Sequence, residues 1–280
     1  MNHTLGSIKA EFLSALQYDF TQREKFQLFN RLMEECWGVS QVTLLTDTNA
    51  EFKHSEELLA MVSRLNDGEP VQYITGNAYF RELKLKVTPE VLIPRPETEE
   101  LVSIALEQAA DGSRVLDLGT GSGCIALSLK QENRSLIVSG LDVSEGALSV
   151  AKENAKRLKL DLDFHLKSMD EPLEELGEFD ILVSNPPYIG LEEETLLEKN
   201  VIDYEPRMAL FSINSDTLYF YKSLYHRSLE VLKSGGVICL ELHEDHADAT
   251  AELFTDAEFK TVEILLDFQG KKRFLKAEKR

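Results

Sequence analysis

The segment Asn185-Pro186-Pro187-Tyr188 directly follows an apolar run, residues 179–184, that is typical of a buried strand. Its side chains suit the positioning of a planar NH2 group. The side-chain oxygen of Asn185 and the carbonyl oxygen of Pro186 can both accept hydrogen bonds from one such group. Proline supplies an acceptor without a competing N–H, and Tyr188 offers a flat face for packing. The motif therefore predicts chemistry at the nitrogen of an amide or an aromatic amine.

A second motif, Asp117-Leu118-Gly119-Thr120-Gly121-Ser122-Gly123, lies between a predicted strand and a predicted helix. Glycines at such a turn let a ligand approach the backbone at the carboxyl edge of a sheet. The spacing is not the dinucleotide fingerprint G-x-G-x-x-G, because Cys124 occupies the place of its third glycine. A carboxylate beside the turn suits a cationic amino group and would repel a pyrophosphate. The loop therefore predicts S-adenosylmethionine, with Asp117 near its amino group and the glycines beneath its sugar and amino-acid portion.

Asp142 ends the next predicted strand along the chain. An acid at this place can accept hydrogen bonds from both ribose hydroxyls, as the acid that follows a Rossmann glycine loop does. A simpler interpretation is that Asp142 only caps a turn before Ser144. The glycine loop and Asp142 together favour the cofactor site.

The two motifs together predict methyl transfer to nitrogen. The lone pair of an amide nitrogen is delocalised, so the nitrogen is a poor nucleophile, and we expect most of the rate to come from positioning and electrostatics. N-P-x-Y also occurs in linear sorting signals, and Pro-Pro in rigid turns. Linear signals lie in accessible, unfolded segments, whereas this motif ends an apolar strand.

The elements that must position these residues alternate along the chain after Pro96. Apolar strands that alternate with helices imply crossover connections and a mainly parallel sheet covered on both faces. The last two strands are separated by a short loop around Gly270, so we expect a hairpin that adds one antiparallel strand at the end of the sheet. The predicted strands cover residues 114–118, 136–141, 162–166, 179–184, 237–242, 261–267 and 273–277. The predicted helices cover residues 98–110, 122–131, 144–158 and 216–232, and one further helix follows residue 242.

The first 75 residues have apolar positions at steps of three and four, and no alternating strand pattern, so we predict helices only. Residues 79–87 then alternate in short runs that are typical of a β-hairpin. We therefore expect a small N-terminal helical domain for substrate docking over residues 1–75, a β-hairpin linker over 76–92 and a catalytic domain over 93–280.

The chain has 280 residues and a formal charge of −19, from 30 Lys and Arg against 49 Asp and Glu. Phosphate backbones repel such a charge, which argues against direct nucleic-acid binding. The three cysteines contain no C-x-x-C pair, so neither a disulfide framework nor a thiolate zinc site is indicated. No run of about eighteen apolar residues occurs, so we expect no membrane span. We expect a cytoplasmic monomer.

Both motifs resemble those of class I methyltransferases that modify planar NH2 groups. Three further segments narrow the resemblance to the HemK/PrmC release-factor glutamine methyltransferases: residues 70–76 (PVQYITG), 92–99 (LIPRPETE) and 204–210 (YEPRMAL). The resemblance covers roughly residues 68–275 and implies a Rossmann-like catalytic domain behind a small helical domain. It also implies N5-methylation of the glutamine in the Gly-Gly-Gln loop of bacterial peptide chain release factors, with S-adenosylmethionine as the methyl donor.

The resemblance carries functional roles to particular positions. The cofactor is expected to contact Asp117, Gly119, Thr120, Gly121, Ser122, Gly123, Asp142, Met169 and Asn185. The catalytic residues that hold the glutamine amide are expected to be Asn185, Pro186, Pro187 and Tyr188, with Arg95 and Glu97 at the entrance of the site.

The chain departs from the family pattern at two places. Relatives often have an acid and then a large apolar residue beside the adenine, whereas residues 167–170 read Lys-Ser-Met-Asp, so only Met169 is expected to pack there. His243 stands where relatives commonly have glycine. His243 and His246 could be two ligands of a metal ion, but the sequence indicates no third ligand and the reaction needs no Lewis acid, so we expect no metal.

Three other functions stay open from the sequence. A glutamine methyltransferase for a ribosomal protein would differ mainly before the glycine loop, where residues 95–98 favour release factors. A DNA adenine-N6 methyltransferase shares N-P-P-Y but needs a recognition domain and a basic cleft, neither of which is visible. A binding module without catalysis is disfavoured because both motifs are intact.

Overall fold

The computed structural model of the protein describes residues 3–213, 216–255 and 257–280. The chain forms two compact units, and we describe each by itself. The helical unit comprises Met1–Asn77 and Lys199–Tyr204, and the sheet unit comprises Ala78–Glu198 and Glu205–Arg280. Among the residues described, none of the helices has the length and apolar character needed to cross a membrane.

The helical unit consists of short helices around one apolar core. Its first elements are β1 (His3–Thr4), α1 (Leu5–Ala15), α2 (Gln22–Trp37), α3 (Gln41–Thr46), β2 (Glu51–Phe52), α4 (Ser55–Asn66) and α5 (Val71–Thr75). Phe12 of α1, Phe29 of α2 and Leu58 of α4 are fully buried in this core. Thr21 caps α2 by accepting a hydrogen bond from the backbone N–H of Glu24, which satisfies one of the free donors of the first turn.

The expectation of helices only in residues 1–75 is wrong in one detail. β1 and β2 form an antiparallel pair in which His3 faces Phe52 and Thr4 faces Glu51. Strands of two residues are too short to produce the alternation by which a strand is predicted from sequence.

The remaining elements continue in chain order. They are β3 (Asn77–Phe80), β4 (Leu83–Lys86), α6 (Pro96–Glu107), β5 (Arg114–Leu118), α7 (Cys124–Glu132), β6 (Ile137–Asp142), α8 (Glu145–Leu158), β7 (Asp163–Leu166), β8 (Phe179–Ser184), α9 (Lys199–Tyr204), α10 (Arg207–Leu210), α11 (Tyr219–Val231), β9 (Leu232–Glu241), α12 (Ala247–Phe254), β10 (Phe259–Leu266) and β11 (Lys272–Lys279). Short 3-10 turns lie at Glu174–Leu176, Leu191–Leu196 and Glu244–His246. α9 belongs to the helical unit although it lies between segments of the sheet unit, which the sequence pattern did not indicate.

Seven strands form one sheet in the order β10-β11-β9-β8-β5-β6-β7. The pairs from β9 to β7 are parallel, and β11 is antiparallel to both β9 and β10. The predicted α/β fold class, a mostly parallel seven-stranded sheet with a C-terminal antiparallel hairpin, is confirmed. We expected the antiparallel strand at the end of the sheet, and this is wrong. The antiparallel strand is β11, which inserts beside β9 and leaves β10 at the edge.

Both faces of the sheet are covered, as the apolar strands predicted. Val115, Val183 and Cys239 point to the face that packs on α6, α7 and α8, whereas Leu116 and Leu240 point to the opposite face, on α11 and α12. Side chains alternate between the faces along a strand. Residues 117, 185 and 241 therefore continue the α6–α8 side at the carboxyl ends of β5, β8 and β9.

Candidate functional site

The strand order reverses between β5 and β8, which are neighbours in the sheet. A crevice opens at such a reversal, outside the carboxyl ends of the strands, and ligands of open α/β sheets bind there. The glycine loop follows β5 and the Asn185-Pro186-Pro187-Tyr188 motif follows β8. The hydroxyl of Ser184 donates to the carbonyl oxygen of Leu118 at 2.6 Å, which ties the two strand ends together.

The glycine loop is held against the end of β6. The backbone N–H groups of Gly119 and Thr120 both donate to the carbonyl oxygen of Leu141, at 2.9 Å each. Gly119 has a φ of +78°, a left-handed conformation that a side chain would strain, and a Cβ there would lie 3.2 Å from Cε of Met169. The glycine thus leaves room beside Met169 for a flat ligand.

Asp117 lies beneath the loop and is fully buried. Its Oδ2 accepts hydrogen bonds from the hydroxyl of Thr120 at 2.6 Å and from the backbone N–H of Ala126 at 3.3 Å. Within the described residues its Oδ1 has no hydrogen-bond partner. Burial raises the pKa of Asp117 to about 7, because desolvation disfavours the charged form. A buried carboxylate with no ion-pair partner in the part of the chain that the structure describes suits a cationic group bound nearby.

Asp142 is held from two sides at the end of β6. Its Oδ2 accepts from the backbone N–H of Gly121, and its Oδ1 accepts from the backbone N–H of Ser144, both at 2.9 Å. Burial raises the pKa of Asp142. Each carboxylate oxygen has a second lone pair, so the side chain can still accept hydrogen bonds from two hydroxyls.

A pocket of the sheet unit opens over these residues. Its wall contains the glycine loop, the end of β6, the segment after β7, the N-P-P-Y motif and part of α10. Among its lining residues are Gly119, Gly121, Asp142, Ser144, Lys167, Ser168, Met169, Asn185, Pro187 and Met208. The glycines, an acid for hydroxyls and an apolar thioether fit a nucleoside that carries an amino-acid portion.

Asn185 connects the pocket to two buried side chains that the motifs did not predict. Its Nδ2 donates to Oγ1 of Thr98 in the first turn of α6, at 3.1 Å. The hydroxyl of Thr98 donates to Oε2 of Glu241, the last residue of β9, at 2.7 Å. Thr98 and Glu241 are each only 2% exposed. Glu241 lies in the predicted strand 237–242 at a position where relatives also have glutamate, and Thr98 lies in the segment 92–99 that carried the resemblance, but neither residue was assigned a role.

Glu241 is a buried acid with several neighbours. Burial raises its pKa to about 7, while the hydrogen bond from Thr98 and the charge of Arg273 oppose the shift. The hydroxyl of Tyr188 lies 3.3 Å from the second carboxylate oxygen, Oε1. Burial and the nearby Glu241 raise the pKa of Tyr188 in turn. Both oxygens of Glu241 therefore have hydroxyl partners.

Arg95 and Glu205 join two of the segments that carried the family resemblance. Glu205 is buried, and its Oε1 accepts from Nη2 of Arg95 at 2.6 Å. Its Oε2 accepts from the backbone N–H of Ile93 at 3.1 Å. The charge of Arg95 is thus already paired within the protein, and Glu205 fixes the chain that leads into α6.

His243 lies beside Tyr188, with a ring-centroid distance of 5.7 Å. Its Nε2 lies 3.0 Å from Oε2 of Glu193, and its Nδ1 accepts from the backbone N–H of Asp245. Both ring nitrogens are therefore engaged by protein groups. Throughout residues 3–213, 216–255 and 257–280, no group of three or more His, Cys, Asp or Glu side chains could hold a metal ion.

The predicted site residues divide into two sets. Six of them line the pocket: Gly119, Gly121, Asp142, Met169, Asn185 and Pro187. The others lie behind or beside its wall: Asp117, Thr120, Ser122, Gly123, Arg95, Glu97, Pro186 and Tyr188. Asp117 and Thr120 are bonded to each other, and Ser122 is buried, so these three support the loop from below.

Two family models match the chain. The PrmC N-terminal domain matches residues 11–76, and the methyltransferase small domain matches residues 97–206. A methyltransferase from Pyrococcus furiosus has the same fold, with a TM-score of 0.53 and 17% identity over 81% of this chain and 98% of that chain.

Curated relatives extend the similarity over most of the chain. The release factor glutamine methyltransferase of Bacteroides thetaiotaomicron is 38% identical over 224 residues, which cover 80% of this chain and 81% of that protein. The release factor glutamine methyltransferase of Lactococcus lactis is 39% identical over 273 residues, which cover 95% of this chain and 97% of that protein. The chain belongs to the family of release factor glutamine methyltransferases.

Proposed function

We propose that this protein transfers a methyl group from S-adenosylmethionine to N5 of the glutamine in the Gly-Gly-Gln motif of peptide chain release factors. The observation that carries the proposal is the shared pocket, whose wall contains both the glycine loop and Asn185. Membership of the family supports the choice of a release factor as the substrate.

The cofactor would lie along the glycine loop. When bound, S-adenosylmethionine supplies an electrophilic methyl group on a sulfonium. Asp142 would accept hydrogen bonds from the ribose hydroxyls, and Met169 would pack against the adenine. Asp117 would act on the amino group from beneath the loop through its charge, because its carboxylate is buried and Oδ1 has no partner among the described residues.

The acceptor glutamine would be held by the N-P-P-Y motif. The NH2 group of the glutamine would donate one hydrogen bond to Oδ1 of Asn185 and one to the carbonyl oxygen of Pro186. Two acceptors on one NH2 group fix its plane, so that the nitrogen lone pair is directed at the carbon it attacks. Pro187 and Tyr188 would pack against the glutamine and keep water out. The amide proton can leave after the new bond has formed, so no strong base is required.

The release factor is also the proposed partner in binding. The helical unit would dock it, and the formal charge of −19 would favour a basic surface on a factor that itself binds the ribosome. We propose that the protein acts as a monomer in the cytoplasm and does not bind nucleic acid directly.

The test is transfer of labelled methyl from S-adenosylmethionine to a purified release factor by the purified protein. We expect labelling of the wild-type factor and none of a factor in which the Gly-Gly-Gln glutamine is alanine. The Asn185→Ala protein should label the factor at least about 1,000 times more slowly, because it loses the acceptor that orients the amide.

Ribosomal proteins and double-stranded DNA serve as alternative substrates in the same assay. Labelling of either one in place of the release factor would overturn the proposal. Activity of Asn185→Ala within a factor of about ten of the wild type would overturn the role of the motif.

A further inference from the structure

Thr98 and Glu241 form a hydrogen-bonded pair behind Asn185, outside the pocket. They lie on different elements, Thr98 in α6 and Glu241 at the end of β9, and only the sheet brings them together. Neither residue lines the pocket, and both are buried. Because both are buried, we expect them to act through the residues they contact, which are Asn185 for Thr98 and Tyr188 for Glu241.

In this pair, the chemistry of the two groups decides which one donates the hydrogen bond and which one accepts it. A threonine hydroxyl has one hydrogen to donate, and a carboxylate can only accept. Because the hydroxyl of Thr98 donates to Glu241, its oxygen can only accept from Asn185. The group that faces it must be the NH2 end of the Asn185 amide, and that is the end observed, at 3.1 Å.

We propose that Thr98 and Glu241 are positioning residues that hold the amide of Asn185 with its oxygen toward the NH2 group of the substrate. The inference rests on the proposed function, because it assumes that a planar NH2 group is the ligand of Asn185. Among the described residues, no hydrogen bond engages Oδ1 of Asn185, so this oxygen is available to the substrate.

The alternative orientation would oppose the reaction. If the Asn185 amide turned by 180°, its NH2 group would face the NH2 group of the substrate. Two donors cannot form a hydrogen bond with each other, and the substrate would lose one of its two acceptors. The carboxylate of Glu241 prevents this turn through two successive hydrogen bonds. Because Thr98 donates its one hydrogen to Glu241, it has none left to donate to Oδ1 of Asn185.

Replacement of Glu241 by glutamine removes that restriction. The glutamine amide can donate to the oxygen of Thr98, and the Thr98 hydroxyl is then free to donate to Oδ1 of a turned Asn185. If Glu241 had a purely structural role, Glu241→Gln would leave kcat unchanged, because a glutamine of nearly equal size fills the same space.

The experiment measures methyl transfer to a release factor in four variants. Thr98→Val keeps the size of the side chain and removes the hydroxyl, and Thr98→Ser keeps the hydroxyl. Glu241→Gln replaces a group that can only accept hydrogen bonds with one that can also donate them. Thr250→Val is the matched control, since Thr250 is a fully buried threonine of α12 that does not line the pocket, and its Oγ1 has no partner among the described residues.

We expect kcat to fall about 10- to 100-fold in Thr98→Val and in Glu241→Gln, as misplacement of a positioning group does. KM for S-adenosylmethionine should stay within about threefold, because the glycine loop is untouched. Thr98→Ser should recover most of kcat, and Thr250→Val should keep the wild-type value.

Two results would overturn the inference while the proposed function stands. One is a kcat in Thr98→Val equal to that in Thr98→Ser. The other is a Glu241→Gln protein with unchanged kcat, which decides the matter if Thr98→Val does not fold. Failure of the wild-type protein to label any release factor would overturn the proposed function and this inference with it.

Discussion

Two halves of the site, each made of pocket-wall residues and of residues behind them, are built in different ways, although each contains one buried carboxylate. We name them for the ligands proposed for them, the cofactor and the acceptor glutamine. The cofactor half is the glycine loop with Asp117 and Asp142, and its contacts are mostly backbone N–H groups and a few side chains close in sequence. The acceptor half is Asn185 with Thr98 and Glu241, and its contacts join side chains up to 143 residues apart.

The two carboxylates show what this difference means. Burial raises the pKa of Asp117 and of Glu241 to about 7. Asp117 has an oxygen with no partner within the described chain, whereas both oxygens of Glu241 face hydroxyl groups. We therefore expect the charge of Asp117 to act on a bound ligand, and the charge of Glu241 to act on Asn185 through Thr98.

Asp117→Asn alters the cofactor half, and among the predictions that compare the two halves it has the largest expected effect. It removes the charge proposed to attract the amino group of S-adenosylmethionine, so we expect the Kd of the cofactor at pH 8 to rise roughly 10- to 100-fold. The rise should be smaller at pH 6, where Asp117 in the ligand-free protein is mostly protonated. Titration calorimetry at both pH values measures the effect. Asp180→Asn, at the start of β8, is a matched control that should leave the Kd unchanged.

Asp117→Asn should stabilise the ligand-free protein although it weakens cofactor binding. The pKa of Asp117 is about 7 in the folded protein and 3.8 for the unperturbed side chain, so the folded state binds a proton that the unfolded state has released. The stability from this group is present at low pH and is lost as the pH rises through about 7. Asp117→Asn should therefore raise the Tm of the ligand-free protein at pH 8 more than at pH 6. Equal Tm shifts, with no loss of affinity, would mean that Asp117 only shapes the turn.

The acceptor half should respond to pH through Glu241. A protonated Glu241 could donate to Thr98 and release the Asn185 amide, so we expect kcat to increase about tenfold from pH 6 to pH 8, as the carboxyl group ionises. The charged and titratable groups around Glu241 are Glu97, Cys124, Tyr188, Tyr221 and Arg273. Single-turnover rates across this range measure the effect.

Glu241→Gln is the control for this profile. It should have a low rate that changes little between pH 6 and pH 8. A wild-type profile that persists in this variant would assign the titration to another group and separate Glu241 from the orientation of Asn185.

Added salt should have the smallest effect, and it should weaken binding of the release factor without acting on the cofactor half or the acceptor half. With a formal charge of −19, the protein should bind a basic release factor less well as salt screens the attraction. We expect KM for the release factor to rise by roughly threefold between 50 and 300 mM salt, while the Kd of S-adenosylmethionine changes less. A KM that does not depend on salt would show that overall charge plays no part in docking.

The halves also differ in how far the sequence could predict them. Residues 117–123 are contiguous, and the turn they form needs glycines, so the loop, its strand and its helix followed from local pattern alone. The Asn185 motif was equally clear because its residue types are unusual at a strand end. The seven-stranded sheet followed from the alternation of strands and helices.

The support of Asn185 could not be predicted in the same way. A threonine in the first turn of a helix and a glutamate at the end of a strand are both common, and nothing local relates them. The sheet order that places β9 beside β8 and under α6 brings Thr98 and Glu241 together. Glu205, which fixes Ile93 and Arg95 from more than a hundred positions along the chain, was missed for the same reason.

The insertion of β11 between β9 and β10 has a consequence for folding. β10 pairs only with β11 among the described strands, so either the two attach to the sheet as a unit or β11 attaches before β10. An intermediate without them would expose the long edge of β9, with Ile238, Cys239 and Leu240 near its end. An unpaired apolar edge of this kind is a template for aggregation. Slow attachment of the hairpin should therefore limit the yield of refolding at high protein concentration.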